Sequence, residues 1–558
     1  MIRHLSTDKI INIFIKFYFF IFKLFIWRPF IKKTLKPEIE QNSVLKSLLE
    51  KNKDTVIGKK YGFAEISSYE DYKKSVPVHN YEMLREYIEK QEETKQPYLT
   101  YNNPFMYAQT SGTTDKPKLI PIFEETVKNY KKSQRISTYA QYKVAPLMFD
   151  GKILAIVSPE MEGELESKTP YGSLSGLLYK NIPNIIKTKY ILPYEIFDIE
   201  DYDEKYYLIS VLGVAQKNLA TLASANPSTI LKICEIINTR FDELIDIIEN
   251  GKTDSDINIS DPGNKILNHY LDINKTRAEE LKNIRRNNES INLKDIWPDL
   301  KAVVTWTQGN CSVLIPKLRN QLLPGTKIFE LGYFSSEFRG TVVIDANSDS
   351  GVPIINENYY EFIEKDDWEL ENKDFKTMGD IKEGKQYYII VTTPYGLYRY
   401  FINDIIEVTG RFNNTPAIKF VQKGRGVTNI TGEKLYEEQI IKALGNIKEK
   451  VGIEFNFFTI LANPEDLFYE LFLESEKIHK ADLSSMIDKE LKMINVEYKA
   501  KRDSGRLKPI RLNYIKNGTG ENFKKYCIKN GQRDSQFKFN HIMYTNECSF
   551  NFSNYIIK

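Results

Sequence analysis

The run Tyr107-Ala108-Gln109-Thr110-Ser111-Gly112-Thr113-Thr114-Asp115-Lys116-Pro117-Lys118 gathers the residue types that hold phosphate. Gly112 lets the backbone come close to a ligand. The hydroxyls of Ser111, Thr113 and Thr114, with backbone N–H groups, can donate to phosphate oxygens, and Lys116 or Lys118 can neutralise charge. The spacing is not the G-x-x-x-x-G-K-[ST] of a Walker loop. An ordinary solvated turn has the same composition, so the run needs support from elsewhere in the chain.

Two later stretches offer it. Tyr333-Phe334-Ser335-Ser336-Glu337 follows an apolar run read as a strand, and ligands of α/β proteins collect at the carboxyl ends of strands. Tyr333 can stack on a base there, and Glu337 can hold Mg²⁺ beside phosphates. The plainer reading is a core aromatic and a helix-start carboxylate. In Gly396-Leu397-Tyr398-Arg399-Tyr400-Phe401-Ile402-Asn403-Asp404, the Asp404 carboxylate can accept two hydrogen bonds from a ribose diol. Arg399 can grip a carboxylate or phosphate with two N–H groups, or merely pair with an aspartate to tie two strands.

The elements that must position these residues alternate between strand and helix. Residues 36–95 show apolar positions at helical spacing, broken at Pro77. Short β-branched or apolar runs at 153–157, 302–306, 327–333 and 387–392 read as strands, with a helical stretch over 206–250 interrupted at Asn226-Pro227-Ser228-Thr229. This is an α/β architecture. From about Lys423 the pattern becomes a compact α+β one: helix 435–444, strands 455–461 and 467–472, helix 481–493. Gly424-Arg425-Gly426 at its start marks a flexible junction, so domains are expected at 1–422 and 423–558.

Composition bounds the function. The chain has 558 residues, enough for two or more domains. Lys+Arg 78 against Asp+Glu 75 leaves a net charge of +3, which gives no global field toward nucleic acid. Four cysteines without a C-x-x-C pair and five scattered histidines suggest neither a disulfide framework nor a histidine metal centre, and a reducing, cytoplasmic setting fits. Residues 10–27 are nearly all apolar or aromatic. Trp27-Arg28-Pro29-Phe30 offers no signal-peptide cleavage site, and Lys16 and Lys23 interrupt the run of about 20 uncharged residues a span needs. Asn12, Lys16 and Lys23 fall within about 40° of one another on a helix. Residues 1–35 are therefore expected to carry an amphipathic helix, docked on the main domain or in peripheral contact with a membrane, with a true span as the third reading.

In order, T-S-G-T-T, Y-x-S-S-E, G-L-Y-R-Y-x-x-x-D and F-V-x-K-G-R resemble the acyl-adenylate-forming superfamily of acyl-CoA synthetases, luciferases and adenylation domains. Within it, Gly396 to Gly410, Val76-Pro77-Val78-His79-Asn80-Tyr81 and Asn226-Pro227-Ser228-Thr229 are closer to the Gretchen Hagen (auxin-responsive promoter) family of acyl acid amido synthetases. The resemblance runs from about residue 40 to 545. It implies a large N-terminal acyl-adenylate-forming domain of mixed sheets and helices, with a small mobile C-terminal lid. It also implies a two-step reaction. A carboxylic acid attacks the α-phosphate of ATP, and an amine, typically an amino acid, then takes the acyl group from the acyl-AMP. Position by position, Ser111, Gly112, Thr113 and Thr114 would hold the β- and γ-phosphates, Tyr333 adenine, Ser336 the α-phosphate, Glu337 Mg²⁺ and Asp404 the ribose. Lys423, Gly424 and Arg425 fall at the superfamily's hinge, and Lys538 at its late catalytic lysine. Arg135, on the helix after the first motif, is either an acyl-binding cation or part of a solvated face.

Three departures bear on the details. Asn403 stands where glycine usually precedes the ribose-binding aspartate, and asparagine tolerates positive φ. Lys423 replaces a common arginine, and Phe539 follows the lysine where proline or a similar residue is usual. A thioester-forming ligase on the same fold and a degenerate adenylate-binding scaffold remain as alternatives; retention of Glu337, Asp404 and Lys538 argues against the second.

Overall fold

The computed structural model describes residues 14–557 except 111–117, 252–258, 369–372, 425, 429, 431, 432, 434, 464, 465, 477–481, 504–506, 531, 533, 535 and 536. Ser111, Gly112, Thr113, Thr114 and Arg425 thus lie outside the described residues. The chain divides into two compact units. One comprises residues 1–307, 315–402 and 406–419; the other comprises 308–314, 403–405 and 420–558.

The first unit is built on a four-stranded parallel sheet of Lys152–Ile156, Leu219–Ser224, Ala302–Thr305 and Lys327–Glu330, adjacent in that order. These are the short apolar runs of the sequence, and parallel strands covered on both faces need such continuous runs. Leu154, Leu222 and Val303 pack with Tyr206, Tyr207, Ile233, Leu244 and Trp297 from the helical crossovers. On the other side, Ala302, Val304 and Phe329 meet Ile136, Tyr139 and Ala140 of the helix Glu124–Val144. That helix starts with Glu124 and Glu125 in its first turn, where the macrodipole favours carboxylates. A second sheet joins Lys118–Ile122, Met106–Thr110, Pro170–Gly172 and Met161–Glu164. The strand pair on either side of the phosphate-loop sequence is antiparallel, with Thr110 opposite Lys118. A third sheet has the order Tyr359–Glu364, Gln386–Thr392, Tyr400–Phe412, Thr415–Lys423.

The N-terminal helical segment, described over residues 14–33 and π-helical at Lys23–Trp27, docks on this unit through Ile15, Phe19, Phe22, Trp27 and Phe30, with Phe19 stacked on Tyr142 at 4.5 Å. No described helix is long and apolar enough to cross a membrane.

The second unit carries a four-stranded sheet ordered Arg511–Ile515, Phe468–Glu474, Phe457–Asn463, Ile542–Tyr544. The period of two along Phe457–Asn463 divides its two cores. Phe458, Ile460 and Ala462 face Ile440, Leu444, Ile487 and Leu491 of helices Glu437–Val451 and Leu483–Ile494, while Phe457 and Leu461 join Phe472, Phe523 and Phe552. The helices and strands expected from residue 435 onward are present, with edges displaced by one to seven residues.

Candidate adenylation site

The strand Lys327–Glu330 ends at a buried carboxylate. One oxygen of Glu330 accepts from Thr307 N and Thr307 Oγ1, both at 2.6 Å, and the other accepts from Gly332 N at 2.8 Å. Glu330 therefore ties together the loops that leave two neighbouring parallel strands at their carboxyl ends. Burial raises its carboxyl above the ordinary range, against the opposing pull of these three bonds. Gly332, at φ +90°, turns the chain into a hairpin in a conformation that side chains rarely adopt.

That hairpin is Tyr333-Phe334-Ser335-Ser336-Glu337-Phe338-Arg339-Gly340-Thr341. Phe334 pairs with Arg339 across it, Ser335 N donates to Phe338 O at 2.9 Å, and Tyr333 O accepts from Gly340 N and Thr341 N at 2.9 Å each. Tyr333 is buried edge-on to Phe338, 5.5 Å between centroids, and lies so close to Gly340 that a Cβ there would fall 2.6 Å from a ring carbon. The Tyr130 hydroxyl, from helix Glu124–Val144, donates to Ser335 O at 2.7 Å and anchors the hairpin. The structure therefore groups Tyr333, Ser336 and Glu337, with Glu337 buried and Ser336 half-buried. Two buried polar atoms of the hairpin, Ser335 Oγ and Arg339 Nε, have no hydrogen-bond partner. Arg339 is held down to about 10 by burial. Polar atoms buried in this way ordinarily find partners, in water or in a ligand.

Mg²⁺ is commonly held by one or two carboxylates together with nucleotide phosphates and waters. Among the described residues no group of three or more His, Cys, Asp or Glu could hold a metal unaided. The buried carboxylate of Glu337 fits the phosphate-assisted mode.

The second and third motifs of the sequence differ in what they do. Arg399 is buried at φ +43° and pairs with Glu361, not with Asp404 and not with an open site. Its Nε lies 3.1 and 3.0 Å from the two Glu361 oxygens, its Nη2 2.8 Å from one of them, and its Nη1 donates to Lys73 O and Val76 O at 3.0 and 2.7 Å. Of the partners weighed for Arg399, the carboxylate is the one present, and it belongs to Glu361 rather than to an aspartate: Glu361 and two backbone carbonyls take the Nε and Nη1 donors, while Nη2 lies in ion-pair range of Glu361 without a hydrogen bond of its own. His79 completes this joint, with Nδ1 2.7 Å from Tyr398 O, His79 N donating to Arg399 O and Phe401 N donating to His79 O. The Val76–Tyr81 and Gly396–Gly410 stretches are thus two sides of one interlock. Lys118 lies with its Nζ 3.4 Å from the Tyr400 hydroxyl.

In the second unit, Asn403 has φ +60°, the conformation expected of the residue that replaces glycine, and Asp404 is buried beside it. Gly424 N donates to Asn403 O at 2.9 Å, so the glycine of the junction is fastened next to Asp404. Lys423 closes the strand Thr415–Lys423. Lys538 is exposed, its Nζ 4.8 Å over the ring of Phe420. Arg135 is exposed on the helix Glu124–Val144, about 140° around it from Tyr130, with its guanidinium 5.9 Å over the Tyr18 ring. The structure does not bring it to the Tyr333 hairpin.

Sequence reasoning missed Glu330, Arg339, Tyr130 and Glu357. Burial pushes Glu357 up to about 7, with Lys132 and Arg339 pulling the other way. A carboxylate ending a buried strand just before Gly-Tyr was the readable signal for Glu330.

Comparison with known proteins decides the family. The GH3 family N-terminal domain matches residues 27–328, the GH3 family central domain 351–423, and the GH3 family C-terminal domain 438–547. The chain belongs to the GH3 family. It is 24% identical over 560 residues to the Arabidopsis thaliana indole-3-acetic acid-amido synthetase GH3.17, covering 90% of this chain and 91% of that one. It is 23% identical to the Arabidopsis thaliana 4-substituted benzoates-glutamate ligase GH3.12, over 84% of this chain and 86% of the other. In structure it resembles the GH3.15 acyl acid amido synthetase, with a TM-score of 0.83 at 22% identity over 94% and 95% of the two chains. It also resembles a 2-hydroxyisobutyryl-CoA ligase, with a TM-score of 0.56 at 13% identity over 92% of each. The fold is that of GH3 and acyl-adenylate-forming enzymes.

Proposed function

We propose that this GH3 protein joins a small carboxylic acid to an amine, with an amino acid as the acceptor, in an ATP-dependent, AMP-forming ligation. In the first step a carboxylate oxygen attacks the α-phosphorus of ATP, and the bond to the bridging oxygen breaks to release pyrophosphate. In the second, the amine nitrogen attacks the acyl carbonyl and loses a proton as AMP leaves. The observation that carries this reading is the Tyr333–Thr341 hairpin, fixed by Glu330 and Tyr130 at the carboxyl end of the parallel sheet, in a chain matched by GH3 domains over nearly its whole length.

Each residue keeps the role its position in the family implies. Ser111, Gly112, Thr113 and Thr114 hold the β- and γ-phosphates, Tyr333 stacks on adenine, Ser336 meets the α-phosphate and Asp404 binds the ribose. Glu337 would hold Mg²⁺, which when bound draws off negative charge where two anions must meet. Lys423, Gly424 and Arg425 serve as the hinge between domains 1–422 and 423–558. The four free cysteines, two of them buried, accord with a reducing cytoplasmic setting. The amide is favoured over a thioester because the curated relatives that span about nine-tenths of the chain are named amido synthetases.

Lys538 tests the mechanism. Its ammonium offsets charge developing on the α-phosphate during adenylation only. Lys538→Ala should cut adenylate formation by about 10²–10³, the cost of removing one charge-stabilising donor, yet spare amide formation from supplied acyl-adenylate. Equal loss of both half-reactions would contradict this role.

A further inference from the structure

The docked N-terminal helix buries one side only. At about 100° per residue, Ile15, Phe19 and Phe22 fall within about 60° of one another and form the contact with helix Glu124–Val144. Phe14, Phe17, Tyr18, Phe20 and Ile21 occupy a separate arc of about 160°, and all are exposed. Phe25 continues the row at 71% exposure, with Phe17 at 62% and Phe20 at 58%. Four half-open phenylalanines give an apolar patch on the order of 500 Å², at the size that marks an interaction surface on a soluble protein.

The charges carried by this segment itself have one sign. Lys16, Lys23, Arg28, Lys32, Lys33 and Lys36 all lie between residues 14 and 36, and no Asp or Glu occurs there. All but Lys33 are exposed; Lys33 pairs with Glu40. The neighbouring helix adds exposed Arg135 over Tyr18, and Lys143 lies 4.6 Å over the Trp27 ring. An aromatic face rimmed by cations matches a lipid interface, where rings settle at headgroup depth and lysines reach anionic lipid. A second copy of the chain fits poorly, because a self-complementary contact would set one cationic rim against another. Among the described residues no helix is long and apolar enough to span, and this one has a packed side.

We infer that the exposed face of the N-terminal helix, centred on Phe14, Phe17, Ile21 and Phe25, seats the protein peripherally on anionic membranes. The inference does not depend on the acyl-transfer reading. The test is co-sedimentation of the full chain with phosphatidylcholine vesicles, with and without about 30 mol% phosphatidylserine. Binding to the anionic vesicles should exceed binding to the neutral ones by about tenfold or more, and should fall with added salt. F17S/F20S/F25S, which alters only exposed side chains, should lose at least about tenfold in binding with an unchanged circular dichroism spectrum and melting midpoint. K16E/K23E/K32E should lose the preference for phosphatidylserine. Absence of the parent protein from the vesicle pellet would overturn the inference, as would full binding by F17S/F20S/F25S. So would a concentration-dependent dimer that the triple serine variant dissolves and that binds no vesicles.

Discussion

Arg399 lies in the motif that most resembles a ribose site, yet its geometry makes it a pin rather than a ligand-binding group. Replacing it by methionine keeps most of the volume and removes every polar contact of the side chain, leaving the backbone bonds to His79 and Thr392 in place. Glu361, fully buried, would be left with Tyr69 Oη at 3.1 Å as its remaining partner. Lys73 O and Val76 O would lose their donors as well. Breaking a buried ion pair from one side costs about 3–5 kcal/mol, most of it from the stranded charge. Burial already raises the Glu361 carboxyl, with Arg399 pulling it back down. Removing Arg399 must raise it further, so the penalty should be smaller at pH 5 than at pH 8, where the carboxylate can no longer escape by protonation. R399M/E361L removes both charges and should recover at least about half of the loss. Urea denaturation of parent, single and double variants at both pH values measures all of this, with ATP binding followed in parallel. The reasoning fails if R399M keeps the parental denaturation midpoint while losing ATP, because Arg399 would then act on substrate. It also fails if the double variant is as unstable as the single one.

Other outcomes follow from the same site. Gly340→Ala forces the Tyr333 ring aside and should weaken ATP binding by about tenfold, within the 1–3 kcal/mol of one base–aromatic stack, with the fold retained; unchanged affinity in an ATP titration would remove Tyr333 from the adenine site. Glu337→Gln should raise the Mg²⁺ concentration needed for activity, and Asp404→Asn should weaken ATP by roughly 10–100-fold, the value of a charge-assisted hydrogen bond. ATP titrations at several Mg²⁺ levels decide between these roles and purely structural ones. Glu357 has a carboxyl raised to about 7 by burial. The folded state therefore holds a proton that the unfolded state releases near pH 4.5, so stability falls as pH rises from about 4.5 to 7 and is level beyond. Glu357→Gln should remove that slope and be the more stable protein at pH 8, by up to about 3 kcal/mol; parallel stability–pH curves would refute it.

Much of the site's frame was legible because its signals are local. The parallel strands are short apolar runs bounded by turns, and the strand Lys327–Glu330 leads straight into the Tyr333 motif. Asn403 was readable as a positive-φ residue from its type and its place before Asp404, and it has φ +60°. What escaped were partners set by tertiary contact. Glu361 lies 38 residues before Arg399, and nothing local to either names the other. Tyr130 reaches Ser335 across 205 residues and looked like any aromatic on a helix. Arg135 is exposed over Tyr18, in keeping with the solvated face weighed for it, and which side of the helix it occupies follows from the residues that pack below it. The N-terminal segment was readable as an amphipathic helix with a narrow polar stripe. The remaining apolar surface is wider than the single contact it makes, which leaves aromatic side chains in solvent.

The central claim is that an acid is activated as its adenylate and passed to an amine. Pyrophosphate exchange into ATP, run across a panel of small carboxylic acids, tests it most directly when the best acid is then offered amino acids and coenzyme A in parallel. The account predicts exchange that requires the acid, followed by an amide with an amino acid and stoichiometric AMP. Exchange with no acid in the panel, or a coenzyme A thioester in place of the amide, would contradict it.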